Sequence, residues 1–227
     1  DDFPLPDPLV WMAFVAGQSS QIRLATGILI LPQHNPIVVA KQVASLDYMS
    51  DGRVILGVGV GWLREEFESL GATFEGRGAV TDEYIQVLRS LWQIGSTRFQ
   101  GQFVSFDSVY CEPRPKNGTV PIVIGGHTEA AARRAGRLGD GFFPAREAPE
   151  KLIAIAKAAA TESGRDPEEL EITVSMPHNI SSLSSYRNLG VDRVLLPVTG
   201  LTGMDTAIEG PEDVLKFKDL ILKYSDE

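Results

Sequence analysis

The sequence holds one cysteine, Cys111, and three histidines, His34, His127 and His178, in 227 residues. A single thiol excludes a disulfide framework within the chain and fits a reducing compartment. With no signal-peptide pattern in view, a cytoplasmic location is expected. The histidines stand far apart, and one cysteine cannot complete a zinc site, so no metal-ligand spacing arises. Basic residues are also scarce: 21 Lys and Arg against 30 Asp and Glu give a net charge of -9. That balance argues against nucleic acid and anionic membranes as partners. It leaves room for a small-molecule pocket with local basic groups. No apolar run reaches the ~20 residues of a membrane span. Neither a G-x-S-x-G elbow nor a G-x-x-x-x-G-K-[ST] loop occurs, which weakens hydrolase and nucleotide-triphosphatase readings.

What is present is a large apolar fraction, 43%, enough for the packed core of one domain over residues 1–227. Apolar β-rich runs at 22–31, 54–58, 121–124, 141–144, 171–176 and 193–198 alternate with helical patterns at 8–17, 36–50, 63–70, 80–92, 128–138, 149–163, 182–189 and 211–224. Asn35 and Pro36 read as the cap and first residue of one helix, and residues 76–78 as a glycine-rich turn. The runs are continuous rather than alternating, the pattern of strands covered on both faces of a parallel sheet. Residues 95–119 break the rhythm as an insertion, with a hairpin at Phe99-Gln100-Gly101-Gln102-Phe103. A closed (β/α)₈ barrel needs eight strands and six are visible; the rival is a doubly wound open sheet. The barrel reading, with Asp1 in place of an initiator Met, predicts a natural chain longer at its N-terminus by roughly 40–60 residues, two strand–helix units.

Two glycine-rich turns stand out. The first, Gly57-Val58-Gly59-Val60-Gly61-Trp62, fails as a dinucleotide fingerprint because Trp62 takes the place of the third glycine. It is either a site of close ligand approach or a tight strand-to-helix turn. The second, Ile124-Gly125-Gly126-His127-Thr128, is either an anion site at a helix N-terminus or a plain turn capped by Thr128. His34, before Asn35-Pro36, is a candidate base or an exposed loop histidine. Glu65, Glu66 and Glu68 read as helix-dipole complements, and Asp47 with Arg53 as a structural ion pair.

Together, Leu24-Ala25-Thr26-Gly27-Ile28, Asn35-Pro36, Ala40-Lys41-Gln42, Leu46-Asp47, the run from Gly52-Arg53 to Trp62 and Glu65-Glu66-Phe67 resemble the bacterial luciferase-like family. Arg77-Gly78, Asp82-Glu83-Tyr84, Leu91-Trp92, the run from Pro121 to Gly126 and Leu138-Gly139-Asp140-Gly141-Phe142 extend the resemblance over roughly residues 8–198. It implies a (β/α)₈ TIM barrel and looks like the branch that uses the deazaflavin coenzyme F420. It also implies a non-prolyl cis peptide at Gly27-Ile28 beneath the cofactor ring and a phosphate at residues 125–128. The cofactor-binding set is then Gly27, Ile28, Gly59, Val60, Gly61, Ile124, Gly125, Gly126, His127 and Thr128. Flavin-using luciferases carry an arginine near the end of the glycine-rich strand, where this sequence has Val60; Arg64 or Arg146 remain as other sources of charge. Val60 and the Gly-Trp-x-x-Glu-Glu-Phe pattern favour F420 and hydride transfer with a small organic substrate. FMN-dependent monooxygenation and non-catalytic flavin binding are the alternatives. The resemblance further implies a homodimer through helices 36–50 and 80–92. The catalytic acid–base groups and the substrate stay open.

Overall fold

The computed structural model describes residues 6–144, 149–176, 183–196, 211–219 and 222. In chain order the first half runs α1 (Pro8–Gln18), β1 (Leu24–Ala25), β2 (Leu29–Ile30), α2 (Pro36–Met49), β3 (Val54–Gly59), α3 (Arg64–Ser69) and α4 (Arg77–Leu91). The hairpin β4 (Thr97–Gln100) and β5 (Ser105–Val109) follows. Then come β6 (Ile122–Gly125), α5 (Glu129–Leu138), β7 (Gly141–Phe143), α6 (Glu150–Glu162), β8 (Glu171–Ser175), α7 (Leu183–Asn188) and β9 (Arg193–Leu195).

The main sheet is parallel throughout and ordered β1-β3-β6-β7-β8-β9, with β2 also on β3. Strand order follows chain order with no reversal, whereas a doubly wound sheet reverses at its switch point. The sheet is a curled partial barrel. All six residues of β3 are buried, as its unbroken apolar run requires.

The helices form where sequence signals place them. Asn35 Oδ1 accepts from the Ile37 and Val38 amides at 3.0 and 3.3 Å, and Pro36 opens α2. Asp51 and Gly52, at φ 61° and 81°, end it. Helix α2 buries Val39, Val43 and Leu46, and α4 buries Ile85, Leu88 and Leu91. Trp92 is fully buried and its indole N–H donates to the Ala40 carbonyl at 3.1 Å. A Cβ on Gly136 would stand 2.2 Å from the Ala156 carbonyl oxygen, so this glycine lets α5 pack directly on α6.

Three expectations change. The 22–31 run is broken between β1 and β2. Residues 76–78 are not one turn: Gly76 is the left-handed cap (φ 69°) and α4 begins at Arg77. Asp47 and Arg53 form no ion pair. Asp47 is buried and accepts from the Val54 and Lys116 amides at 3.2 and 2.8 Å. Arg53 instead donates to the carbonyls of Ser50, Ile22, Ala16 and Ser19 at 2.7, 2.8, 3.1 and 3.0 Å, and to the Ser19 hydroxyl at 3.1 Å. Those bonds tie the end of α1 to the start of β3. The last helical pattern opens as a 3-10 helix over Pro211–Phe217 and is α-helical at 218, 219 and 222, the rest of the 211–224 span lying outside the described residues.

The insertion is anchored rather than loose. Glu83 accepts from the amides of Gln102, Phe103 and Val104 at 2.7, 2.8 and 2.7 Å, fastening the tip of the β4–β5 hairpin to α4. Among the described residues no helix is long and apolar enough to cross a membrane.

Candidate functional site

The site is built at the C-terminal ends of β2, β3 and β6. Ala25 stands opposite Ile55 and Leu29 opposite Val58. Four steps along one strand therefore match three along the other, and the surplus residue bulges at Thr26-Gly27-Ile28. The Gly27-Ile28 peptide is cis. The buried Thr26 hydroxyl donates to the Gly57 carbonyl at 2.7 Å and ties the bulge to β3.

The bulge turns the Ile28 side chain across its neighbours. Ile28 Cδ1 lies 1.9 Å from where a Cβ of Gly59 would stand, and Cγ2 lies 2.8 Å from that of Gly125. These two glycines therefore seat Ile28, where the sequence suggested bare backbone beneath a ring. Gly27 is different: nothing lies within 4 Å of its missing Cβ, so its backbone faces open space.

That space is a pocket of about 820 Å³. Gly27, Ile28, Val60, Gly61, Gly125, Gly126, His127 and Thr128 all line it, whereas Gly59 and Ile124 are buried behind the lining. The structure thus brings together eight of the ten residues marked in the sequence. It adds Ile30, Trp62, Gly76, Arg77, Gly78, Arg134 and Phe143. Trp62 is 79% exposed, an indole left at the mouth.

Two helix N-termini open on the pocket. Thr128 caps α5, its hydroxyl accepting from the Ala131 amide at 3.2 Å. The Gly126 amide, within the turn expected to take the phosphate, donates to the Phe143 carbonyl at 3.1 Å, so this turn offers the amides that follow it. Gly126 has φ 140°, closed to side-chain-bearing residues. The other terminus was not anticipated. Helix α4 has no side-chain cap, and its first intrahelical bond runs from Val80 N to Gly76 O at 3.1 Å. The amides of Arg77, Gly78 and Ala79 precede that bond, at the positive end of a 15-residue helix.

Two arginines add charge. Arg77 Nε donates to the Gly61 carbonyl at 3.0 Å and a second nitrogen to Phe74 O at 3.3 Å, with the guanidinium 3.8 Å from the Phe74 ring centre. It holds the glycine-rich turn while facing the pocket. Arg134 is almost buried and pairs with Asp82, and it also donates to the Gly78 carbonyl at 3.1 Å. A Cβ on Gly78 would stand 2.9 Å from that guanidinium, which is why glycine sits inside the helix. Asp82 also takes Arg137 at 2.8 Å, so one carboxylate serves two cations and the local balance stays positive. Arg64, a sequence candidate for the same charge, pairs with Glu75 at 2.7 Å. Arg146 and His178 lie outside the described residues. His34 is exposed and not in the lining, as the loop alternative had it; partial desolvation lowers its pKa against the opposing charge of Asp7. Among the described residues no three His, Cys, Asp or Glu side chains cluster to hold a metal ion.

The pocket can therefore hold an anion between two helix ends and a flat apolar group against Gly27 and Ile28. The family model for luciferase-like monooxygenases matches residues 1–182. The chain belongs to the luciferase-like monooxygenase family. Within it, an uncharacterized protein of Mycobacterium tuberculosis (strain ATCC 25618 / H37Rv) is 31% identical over 207 residues, 88% of this chain and 72% of that protein. The F420-dependent glucose-6-phosphate dehydrogenase of Gordonia bronchialis is 31% identical over 176 residues, 73% of this chain and 52% of that enzyme. The crystal structure of monooxygenase RslO1 from Streptomyces bottropensis superposes with a TM-score of 0.68 at 28% identity, covering 75% of this chain and 54% of that one. The chain thus spans about half the length of that luciferase-like barrel. Luciferase-like relatives include both F420-dependent enzymes and monooxygenases.

Proposed function

We propose that the protein is a hydride-transferring oxidoreductase that binds coenzyme F420 and acts on a small organic substrate. The observation that carries the reading is the pairing, in one pocket, of a bare Gly27 backbone beside Ile28 with an uncapped α4 N-terminus flanked by Arg77 and Arg134. A phosphate fits the second half, where amides and guanidinium groups offer charge-assisted hydrogen bonds. A flat ring fits the first, where no side chain rises from Gly27. The residues present thus suit the cofactor. When bound, the deazaflavin supplies a ring carbon that takes up or releases a hydride. The chain's own residues position it: Arg77 fixes the Gly61 turn, Ile28 supports the ring, and Phe143 and Val60 keep water from it. Val60 favours F420, because the arginine of flavin-using luciferases is absent there.

FMN-dependent monooxygenation is the second reading, and it is favoured by Arg77, which brings a cation to the same pocket from α4. Titrating each cofactor into the full chain and following the visible absorbance separates the two. Saturable binding of F420 with substrate-dependent bleaching supports the first. Tight FMN binding without F420 binding moves the protein to the monooxygenases. We further propose a cytoplasmic homodimer that uses α2 and α4, to be checked by light scattering at micromolar concentration. A monomer mass contradicts it.

A further inference from the structure

A second cavity, of about 430 Å³, opens beside the cofactor pocket. Ile30 belongs to both linings. Consecutive residues divide the rest of the wall, Trp62 facing the pocket and Leu63 the slot. Gly61, in the pocket's own lining, is closely packed: a Cβ there would stand 2.7 Å from Ile30 and 2.8 Å from Phe67.

The slot has a definite chemistry. Ile30, Leu63 and Leu70 supply the slot's apolar wall, and Leu70 is 61% exposed. Glu65 and Glu66 stand at the rim. Gln33 donates to Glu66 at 3.1 Å and holds that carboxylate in place. Among the described residues no lysine or arginine lines the slot. Arg64, adjacent in sequence, is turned away to Glu75 at 2.7 Å and to the Phe74 ring at 4.4 Å. The two cavities therefore carry opposite charge, cationic where a cofactor phosphate would sit and anionic in the slot.

We propose that the slot is the substrate's antechamber and takes an apolar molecule whose polar end is cationic or neutral, such as an amine, and rejects carboxylates and phosphates. The inference rests on the cofactor reading above, which names the neighbouring pocket. Apolar area against that wall supplies non-directional attraction, and the paired carboxylates discriminate by charge.

Three probes of one shape test it by calorimetry on the full chain: benzylammonium, benzyl alcohol and benzoate. The cofactor is titrated first, and its failure to bind refutes the reading above. The preference among probes is measured on the same sample whatever that result. Benzylammonium should bind about three- to tenfold more tightly than benzoate, the range for exposed charge pairs. In Glu65→Gln/Glu66→Gln the two should become equal while benzyl alcohol is unchanged. Raising the salt concentration should erode the preference in the wild type, an independent reading that needs no variant. Benzoate binding as tightly as benzylammonium, or a preference that survives in the double variant or at high salt, overturns the proposal.

Discussion

Ile28 fills the space that a Cβ on Gly59 would need, its Cδ1 only 1.9 Å from that position. At Gly57 the obstacle is of another kind, the Thr26 carbonyl oxygen at 2.0 Å. A side-chain tip swings aside and a backbone carbonyl within a hydrogen-bonded bulge does not. Gly57→Ala should therefore cost at least 1–3 kcal/mol, the overpacking range, roughly, for a closed core. Gly59→Ala should cost less stability but push Ile28 into the pocket and weaken binding of the proposed cofactor. Urea unfolding of both variants checks the order; equal losses contradict it.

Arg134 and Asp82 should matter more to stability than a surface pair of similar form. The side chain of Arg134 is 9% exposed, against 69% for Arg98 in its bond to Asp107. Asp82→Asn leaves a nearly buried guanidinium without its anion, at about 2–3 kcal/mol. Asp107→Asn should cost below ~1 kcal/mol. Thermal melts of the two variants test this, and comparable shifts would count against the buried pair.

The proposed cofactor pocket makes its own demand on Gly126. At φ 140°, with a Cβ that would stand 2.8 Å from the Ala131 methyl, Gly126→Val must move the turn that carries α5's first amides. F420 affinity should fall about ten- to a hundredfold, the loss of one charged hydrogen bond. Arg77→Met should fall in the same range and Arg64→Met should not. Unchanged affinity in Gly126→Val and Arg77→Met removes the phosphate assignment.

Much of this was legible in the residues. Strand β3 announced itself because both its faces are buried, and β6 for the same reason; α2 carried its cap and proline in plain sequence. The break between β1 and β2 did not show in the residue pattern, because Thr26-Gly27-Ile28 reads as ordinary strand; only the family resemblance pointed to an irregular, cis peptide at Gly27-Ile28. Gly78 misled, since glycine suggests a turn whereas here it makes room for a guanidinium from another helix. Arg134 was invisible for that reason too: its partner is 52 residues away in sequence, and no local pattern joins them. The signal for Arg77 lay in the quoted Arg77-Gly78 motif, without anything to say that it faces a pocket.

His34, though exposed, should titrate below its ordinary value of 6.5, since partial desolvation outweighs the charge of Asp7. The folded chain then takes up this proton at lower pH than the unfolded chain does. Stability from this group is present above pH 6.5 and is lost as pH falls through the folded midpoint. A histidine ring-proton NMR titration measures the midpoint. His34→Gln should flatten the fall in melting temperature between about pH 7 and 5. A midpoint at or above 6.5 contradicts the assignment.

Arg53 lies at the opposite end of β3 from Gly59, roughly 20 Å away at the usual rise per strand residue. Its five hydrogen bonds reach four carbonyls and one hydroxyl and depend on nothing at the pocket's mouth. Lysine, with three donors on a flexible stem, could not replace that fork. A combinatorial library that randomises Trp62, Leu63 and Leu70 would therefore inherit an intact frame, and new substrate preferences could be selected without first re-engineering the scaffold.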